Sequence, residues 1–274
     1  MSTGNFVDTV FFRYRTGHKE TNAFLAVPSF PAPLPGIILA HDIYGLDEHT
    51  QNLAVELAKQ GYTVLAPDFY STRGAMGERG KNGPGPTSTF EQRRQLRLTT
   101  PDQWAVADIN KGYEWLKNEG YADAGRVGLV GFGFGGTVTT LAAGQTMHFA
   151  AAVNYYGDVI YSKSMIGRAK PASPLDFVRF IQCPYLAFYG APEEDISLQD
   201  LKALEGALRT HNVPHEIKHY TSVPNGFFNE SRPEVFRVQA ANESWGITTR
   251  FLAKYLKGED QTSGTRPRGL SGVR

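Results

Sequence analysis

The residues able to do acid–base or nucleophilic work gather at a few turns: His41-Asp42, Asp68, Asp158, the acidic run Glu193-Glu194-Asp195, and a late loop around Asn225. Between them lies Val127-Gly-Leu-Val-Gly-Phe-Gly-Phe-Gly-Gly136, a β-rich run and a glycine cluster leading into the helix-compatible Thr137 to Ala143. Two motifs fit that strand–turn–helix. Gly131-x-Gly133-x-x-Gly136 matches the dinucleotide fingerprint, whose glycines admit a pyrophosphate close to the backbone. Gly131-x-Gly133-x-Gly135 matches the nucleophile elbow G-x-S-x-G with glycine in the nucleophile's place. Dinucleotide binding asks for the loop after the first strand and an acid about 20 positions on. Here at least two parallel strands precede the loop, and Asp158 falls beyond the strand ending Asn154-Tyr155-Tyr156. The elbow is the better reading, and no cofactor is expected.

The elements that must hold these residues are legible. Thr9 to Arg15 and Ala23 to Val27 are β-rich and form an antiparallel hairpin at a sheet edge. Ile37-Ile-Leu-Ala40 is a continuous apolar run, as a buried parallel strand requires, and ends in His41-Asp-Ile-Tyr-Gly-Leu46. Asp47 caps a helix carrying Leu53, Leu57 and Ala58, closed by Gly61. Tyr62 to Ala66, Phe149 to Tyr156, Pro184 to Gly190 and His215 to Tyr220 read as further strands. Phe90 to Arg97, the stretch from Pro101 to Leu116, Leu201 to Leu208 and Val238 to Leu252 read as helices. Ser71 to Thr89, rich in glycine and proline, is a surface loop, and Tyr161 to Phe177 reads as irregular. Strands alternating with helices predict a mostly parallel central sheet with helices on both faces. The acids at its strand ends share the carboxyl rim, where such sheets bind ligands.

Composition narrows the class. The chain has 274 residues, 41% hydrophobic, with 28 basic against 27 acidic side chains. That length suits one α/β domain over residues 1–258, with a polar tail from 259 to 274 expected to be disordered. Near-zero net charge implies no attraction to nucleic acid or membrane. No apolar run approaches the roughly 20 residues of a membrane span, and Met1 to Asp8 has neither a basic n-region nor an apolar h-region. One cysteine, Cys183, fits a reducing compartment and inert packing, so the expected location is the cytoplasm. His49, His148, His211, His215 and His219 show no metal-site spacing. The expected partner is a small molecule, and the expected state a monomer or small homo-oligomer.

Four motifs in order resemble the dienelactone hydrolase (carboxymethylenebutenolidase) family of α/β-hydrolases, over roughly residues 9 to 257. His41-Asp-Ile-Tyr-Gly-Leu46 is similar to the family's H-E-I-F-G-L, and Pro67-Asp-Phe-Tyr70 to P-D-L-Y. Gly131-Phe-Gly-Phe-Gly-Gly136 resembles G-[YF]-C-x-G-G, and Asn225-Gly-Phe-Phe-Asn229 with Arg232-Pro233 resembles H-G-F-F-N-D-x-R-P. The resemblance implies an α/β-hydrolase fold and places the cysteine nucleophile on Gly133, the histidine on Asn225 and the acid on Glu193, with Asp195 as the alternative. The glutamate beside the oxyanion hole falls on Asp42. The oxyanion donors fall on the backbone N–H groups of Phe134 and Ile43, and His41, Tyr44, Tyr156, Phe228 and Arg232 line the substrate.

Glycine has no side chain to attack with, and an amide accepts no proton at neutral pH, so the acyl-enzyme route is closed. The expectation is a non-hydrolytic isomerase, cyclase or lyase acting on a lactone, ester or polyketide-like molecule. In that reading the donors hold the substrate oxygen while Asp42, or Glu193, moves protons. Each assignment has a plainer rival. His41 would hydrogen-bond structurally, Glu193 would be a solvated charge, Asn225 would cap its loop, and the tyrosines would pack. A catalytically inactive ligand-binding relative would carry the same Gly133 and Asn225, and water activated by Asp42 or Glu193 would make a lactone hydrolase.

Overall fold

Leu34–Ala40 (β3) and Ala122–Phe132 (β5) lie side by side in the middle of the sheet, and their apolar residues Ile37, Ile38, Leu39, Val127, Leu129 and Val130 are wholly buried. Unbroken apolar runs of this kind are stable only with helices covering both faces. The protein is seen in a computed structural model that describes residues 6–17, 19–71, 89–191 and 196–259. Most of the Ser71–Thr89 loop, the Glu193–Asp195 run and the tail from 260 lie outside these residues.

Among the described residues eight strands form one sheet. Val7–Thr16 (β1) and Lys19–Pro28 (β2) are the antiparallel hairpin at one edge, and β2 pairs antiparallel with Thr63–Pro67 (β4). From β4 onward the pairing is parallel, through Ala151–Tyr155 (β6) and Tyr185–Tyr189 (β7) to His215–His219 (β8) at the far edge. The spatial order is β1-β2-β4-β3-β5-β6-β7-β8. After β3 the chain turns to one side to make β4 and returns on the other side of β3 as β5. The loops leaving β3 and β5 therefore diverge, which makes the crevice between them the topological switch point where open α/β sheets bind ligands.

Glu48–Lys59 (α1) starts at Asp47, whose carboxylate accepts the Thr50 N–H at 3.0 Å. Phe90–Thr99 (α2) and Asp102–Asn118 (α3) precede β5, and Phe134–Gln145 (α4) follows it. Leu198–Thr210 (α5) joins β7 to β8, and Val238–Leu252 (α6) closes the fold. Lys257, in a π-helical turn running on from α6, donates to the Gln60 carbonyl just past α1.

One expectation needs correction. The stretch from Tyr161 to Phe177, read as irregular, ends in a 3-10 helix over Pro174–Phe180. Its start signal is the capping box Ser173/Asp176 followed by proline at the first helical position, a local pattern present in the sequence. The same region is pinned to α3 by buried charges: Lys170 donates to Asp102 at 2.6 Å, and Tyr161 donates to the other Asp102 oxygen at 2.8 Å. A buried ammonium persists only when paired in this way.

Candidate active site

Register explains why Asp42 and Gly133 meet. Ala40 pairs with Gly131 across β3 and β5, so the second residue beyond each strand partner falls at the same level of the rim. A Cβ built on Gly133 would lie 3.4 Å from the Asp42 Cβ and, among the described residues, within 4 Å of no other group beyond its chain neighbours. Gly133 has φ 52° and ψ −115°, the strained turn of a nucleophile elbow, and serves as N-cap of α4. The strand–turn–helix thus keeps the elbow's shape while its tip carries only hydrogen.

The glycine cluster answers to packing. At Gly135 a Cβ would enter the Ala40 carbonyl and sit 2.6 Å from the His41 oxygen, so α4 meets β3 at the smallest separation a backbone allows. Gly131 and Gly136 are closed in the same way, by Gly135 and by the Asn154 side chain. At Gly131 and Gly136 the apparent dinucleotide fingerprint is met by close helix–strand packing.

Asp42 is held from two sides. Its Oδ1 accepts the Tyr44 N–H at 2.7 Å, and its Oδ2 accepts from the Asn229 amide at 3.4 Å. The Asn229 carbonyl is occupied by Ser231 N–H at 3.0 Å and by the Ser231 hydroxyl at 2.6 Å, which leaves the amide nitrogen to face Asp42. Burial, then the nearby Asp47 charge, push the Asp42 carboxyl up to about 6, against the lowering pull of Tyr44 N–H, His49 and Asn229. Asp42 as a residue is of intermediate exposure.

The other acids on the rim have structural work. Asp68 is wholly buried, accepts the Tyr70 N–H at 3.0 Å and lies 3.8 Å from His41 Nε2. Asp158 is paired with Arg97 and accepts from the Thr137 hydroxyl. Glu193, and the alternative Asp195, lie outside the described residues.

Expected ligand contacts divide sharply. His41 is 1% exposed and both its nitrogens are in use: Nδ1 donates to the Asp42 carbonyl at 2.7 Å, and Nε2 accepts the Phe69 N–H at 3.0 Å. Burial lowers its imidazole to about 4, so it is neutral and its tautomer is set by these partners. The expectation that His41 touches substrate is therefore corrected: it is a strut between the loops after β3 and β4. Phe228 is likewise fully buried, 5.1 Å from the Phe132 ring and 5.7 Å from Trp245, in the aromatic stack behind the elbow. Tyr156 is almost covered, at a positive φ of 42°, and burial and Asp42 keep its phenol well above the usual range.

Tyr44 and Arg232 come together at the mouth. The Arg232 guanidinium lies 5.1 Å from the Tyr44 ring centre and bonds Glu234 at 3.0 Å. Arg93 of α2 lies 4.6 Å from the same ring. Arg93 and Arg97, four apart and so on one helical face, tie α2 to the loops after β3 and β6. Their i,i+4 spacing is visible in the sequence, but the loops they reach are set only by the packing of α2. Asn225 turns inward, its Oδ1 accepting the Gly190 N–H at 2.7 Å, which fastens the late loop to the end of β7.

The N–H groups of Phe134 and Ile43 donate to no protein acceptor among the described residues. Phe134 is fixed by the Tyr70 ring stacked at 6.2 Å on one side and by Lys170 at 5.2 Å. Among the described residues the site offers two available backbone donors, a carboxyl raised to about 6 and an elbow tip without a side chain.

Sheet order, elbow and rim define a protein of α/β-hydrolase type. The chain belongs to the dienelactone hydrolase family, whose model matches residues 21–256. It is 26% identical to a Methylorubrum extorquens protein named "Putative carboxymethylenebutenolidase", over 85% of this chain and 76% of that one. A Bradyrhizobium protein named "Probable 2-oxo-3-(5-oxofuran-2-ylidene)propanoate lactonase" is 27% identical, over 89% of this chain and 93% of its own length. Among solved structures, a dienelactone hydrolase from Klebsiella pneumoniae, titled as putative, superposes with a TM-score of 0.82 at 26% identity, covering 92% of this chain and all of that one. Among the described residues no helix is long and apolar enough to cross a membrane, and no cluster of histidine, cysteine and acids is arranged to hold a metal.

The elbow's shape can be tested with Gly133→Cys. Its Cβ has room, and the positive φ makes the cost about 1–3 kcal/mol. Cys183 is buried and its thiol is pushed up to about 12, so the wild type is expected to resist iodoacetamide under native conditions. The variant is expected to take up one adduct, at position 133. A folded variant that takes up none would show that the elbow tip is closed to solvent.

Proposed function

We propose that this protein is a non-hydrolytic enzyme, an isomerase, cyclase or lyase, acting on a lactone, ester or polyketide-like substrate. One observation carries the reading: Asp42, a carboxyl raised to about 6, borders the glycine tip of the elbow. The family's cysteine and histidine correspond to Gly133 and Asn225. Asn225 is neutral and occupied by Gly190, so nothing at those two positions attacks a carbonyl.

In the proposed step the substrate carbonyl oxygen lies at the Phe134 and Ile43 N–H groups, and Asp42 removes a proton from the adjacent carbon. The C–H electron pair forms the enolate, whose charge the two N–H donors stabilise; an oxyanion donor in hydrolases contributes on the order of 3 kcal/mol. Protonated Asp42 then returns the proton at another carbon of the same molecule, or a leaving group departs from the β-carbon. A base with a proton affinity near the working pH serves both half-steps. Tyr44, with Arg93 and Arg232 beside its ring, forms an oxygen-accepting mouth.

The room at Gly133 favours a second reading: a water seated there beside Asp42 would be a nucleophile, and the product would be the ring-opened acid. Incubation of unsaturated γ-lactones and enol esters in deuterated water separates the two. Deuterium at the carbon that receives the returned proton, in an isomeric product, supports isomerisation, and a product that has gained one water supports hydrolysis. No exchange and no conversion, with saturable ligand binding intact, would sink both in favour of a binding protein. Installing Gly133→Cys with Asn225→His is expected to add hydrolysis of an activated ester that the wild type lacks, and enzyme-like ester hydrolysis by the wild type would overturn the first reading.

A further inference from the structure

The late loop, from 225 to 232, makes two polar contacts back to the segment after β3. Asn229 reaches Asp42 itself, and the next residue, Glu230, meets His49 Nδ1 at 2.7 Å. His49 sits in the first turn of α1, seven residues beyond Asp42, its side chain 5% exposed and flanked by the Phe132 and Phe228 rings at 6.5 and 6.3 Å. Apolar walls of this kind expel an imidazolium unless a carboxylate accompanies it. Glu230, about half exposed, supplies one.

We propose that the His49–Glu230 pair is the charge partner of Asp42: a positioning pair whose imidazolium favours the Asp42 carboxylate while Asn229 fixes its direction. Burial alone would lower the His49 imidazole, but the Glu230 bond and charge, with smaller contributions from Asp42 and Asp47, leave it raised. Glu230, which burial alone would raise, is held below its ordinary value by the bond and charge of His49. The groups facing Asp42 are Asp47, which opposes its ionisation, His49 and Asn229, which favour it, and the Tyr156 phenol across the crevice. Arg93 and Arg232 lie over the Tyr44 ring, and Arg232 is also paired with Glu234. The His49 charge favours the ionised form of Asp42, against burial and the Asp47 charge.

The inference deepens the reading of Asp42 as the working carboxylate, but its test does not depend on turnover. Carboxyl-carbon NMR of aspartate-labelled protein gives the Asp42 titration directly, the resonance being assigned by its loss in Asp42→Asn. In His49→Gln the Asp42 midpoint is expected to rise by roughly half to one unit, as for loss of a nearby opposite charge. In Glu230→Gln, a near-isosteric change at a half-exposed residue, the His49 ring midpoint is expected to fall and that of Asp42 to rise less. An Asp42 midpoint unmoved in folded Glu230→Gln, although His49 has shifted, would overturn the inference. The enzymatic reading fails separately, if Asp42→Asn keeps full turnover.

Discussion

Asp42→Asn is expected to lower lactone isomerisation by about 100- to 10,000-fold, the range for a positioned general base, with little change in KM. The amide keeps the shape and accepts the Tyr44 N–H as before, but takes no proton from carbon. In the wild type the same group sets an acidic limb near pH 6: turnover falls as Asp42 protonates. Stability should move the other way. A folded-state carboxyl raised from 3.8 to about 6 binds its proton more tightly than the unfolded chain does. The fold is therefore weakened as pH rises through that window, and the full cost is present above it. The shift corresponds to about 3 kcal/mol, reduced to on the order of 1–2 kcal/mol because Asp42 is partly exposed. Thermal melts should find Asp42→Asn more stable than wild type at pH 7.5 and equal to it below pH 4. Unchanged turnover with unchanged pH dependence would remove Asp42 from the mechanism.

Gly135→Ala is expected to prevent folding. The added methyl would overlap the Ala40 carbonyl and crowd that of His41, both backbone atoms at the buried end of β3. Backbone in a packed sheet yields little, so the penalty exceeds the roughly 1–3 kcal/mol of ordinary overpacking. It would also move the loop that carries Asp42. Gly206→Ala is the control: it lies within α5, meets nothing within 4 Å, and is expected to stabilise by up to about 1 kcal/mol. Soluble yield and melting temperature read both, and a Gly135→Ala protein melting within a few degrees of wild type would mean that α4 can move off β3.

The sequence by itself determined the layered α/β architecture and the chain order of the rim. Continuous apolar strands such as Ile37 to Ala40 and the capped helix at Asp47 follow from local period and end chemistry, which need no partner to be read. It also fixed residue chemistry, since a glycine at 133 and an amide at 225 supply neither a nucleophile nor a base in any fold. Tertiary structure decided which of the remaining groups can act. Four acid-bearing turns looked alike as text, yet Arg97 neutralises Asp158, burial beside His41 occupies Asp68, and only Asp42 among the described residues is left to titrate at the elbow. His41 changed from ligand contact to strut because both its nitrogens found partners on neighbouring loops. The pairing of His49 with Glu230 had no signature in the sequence, because charge and proton affinity depend on distances that exist only once β3, α1 and the late loop have packed together.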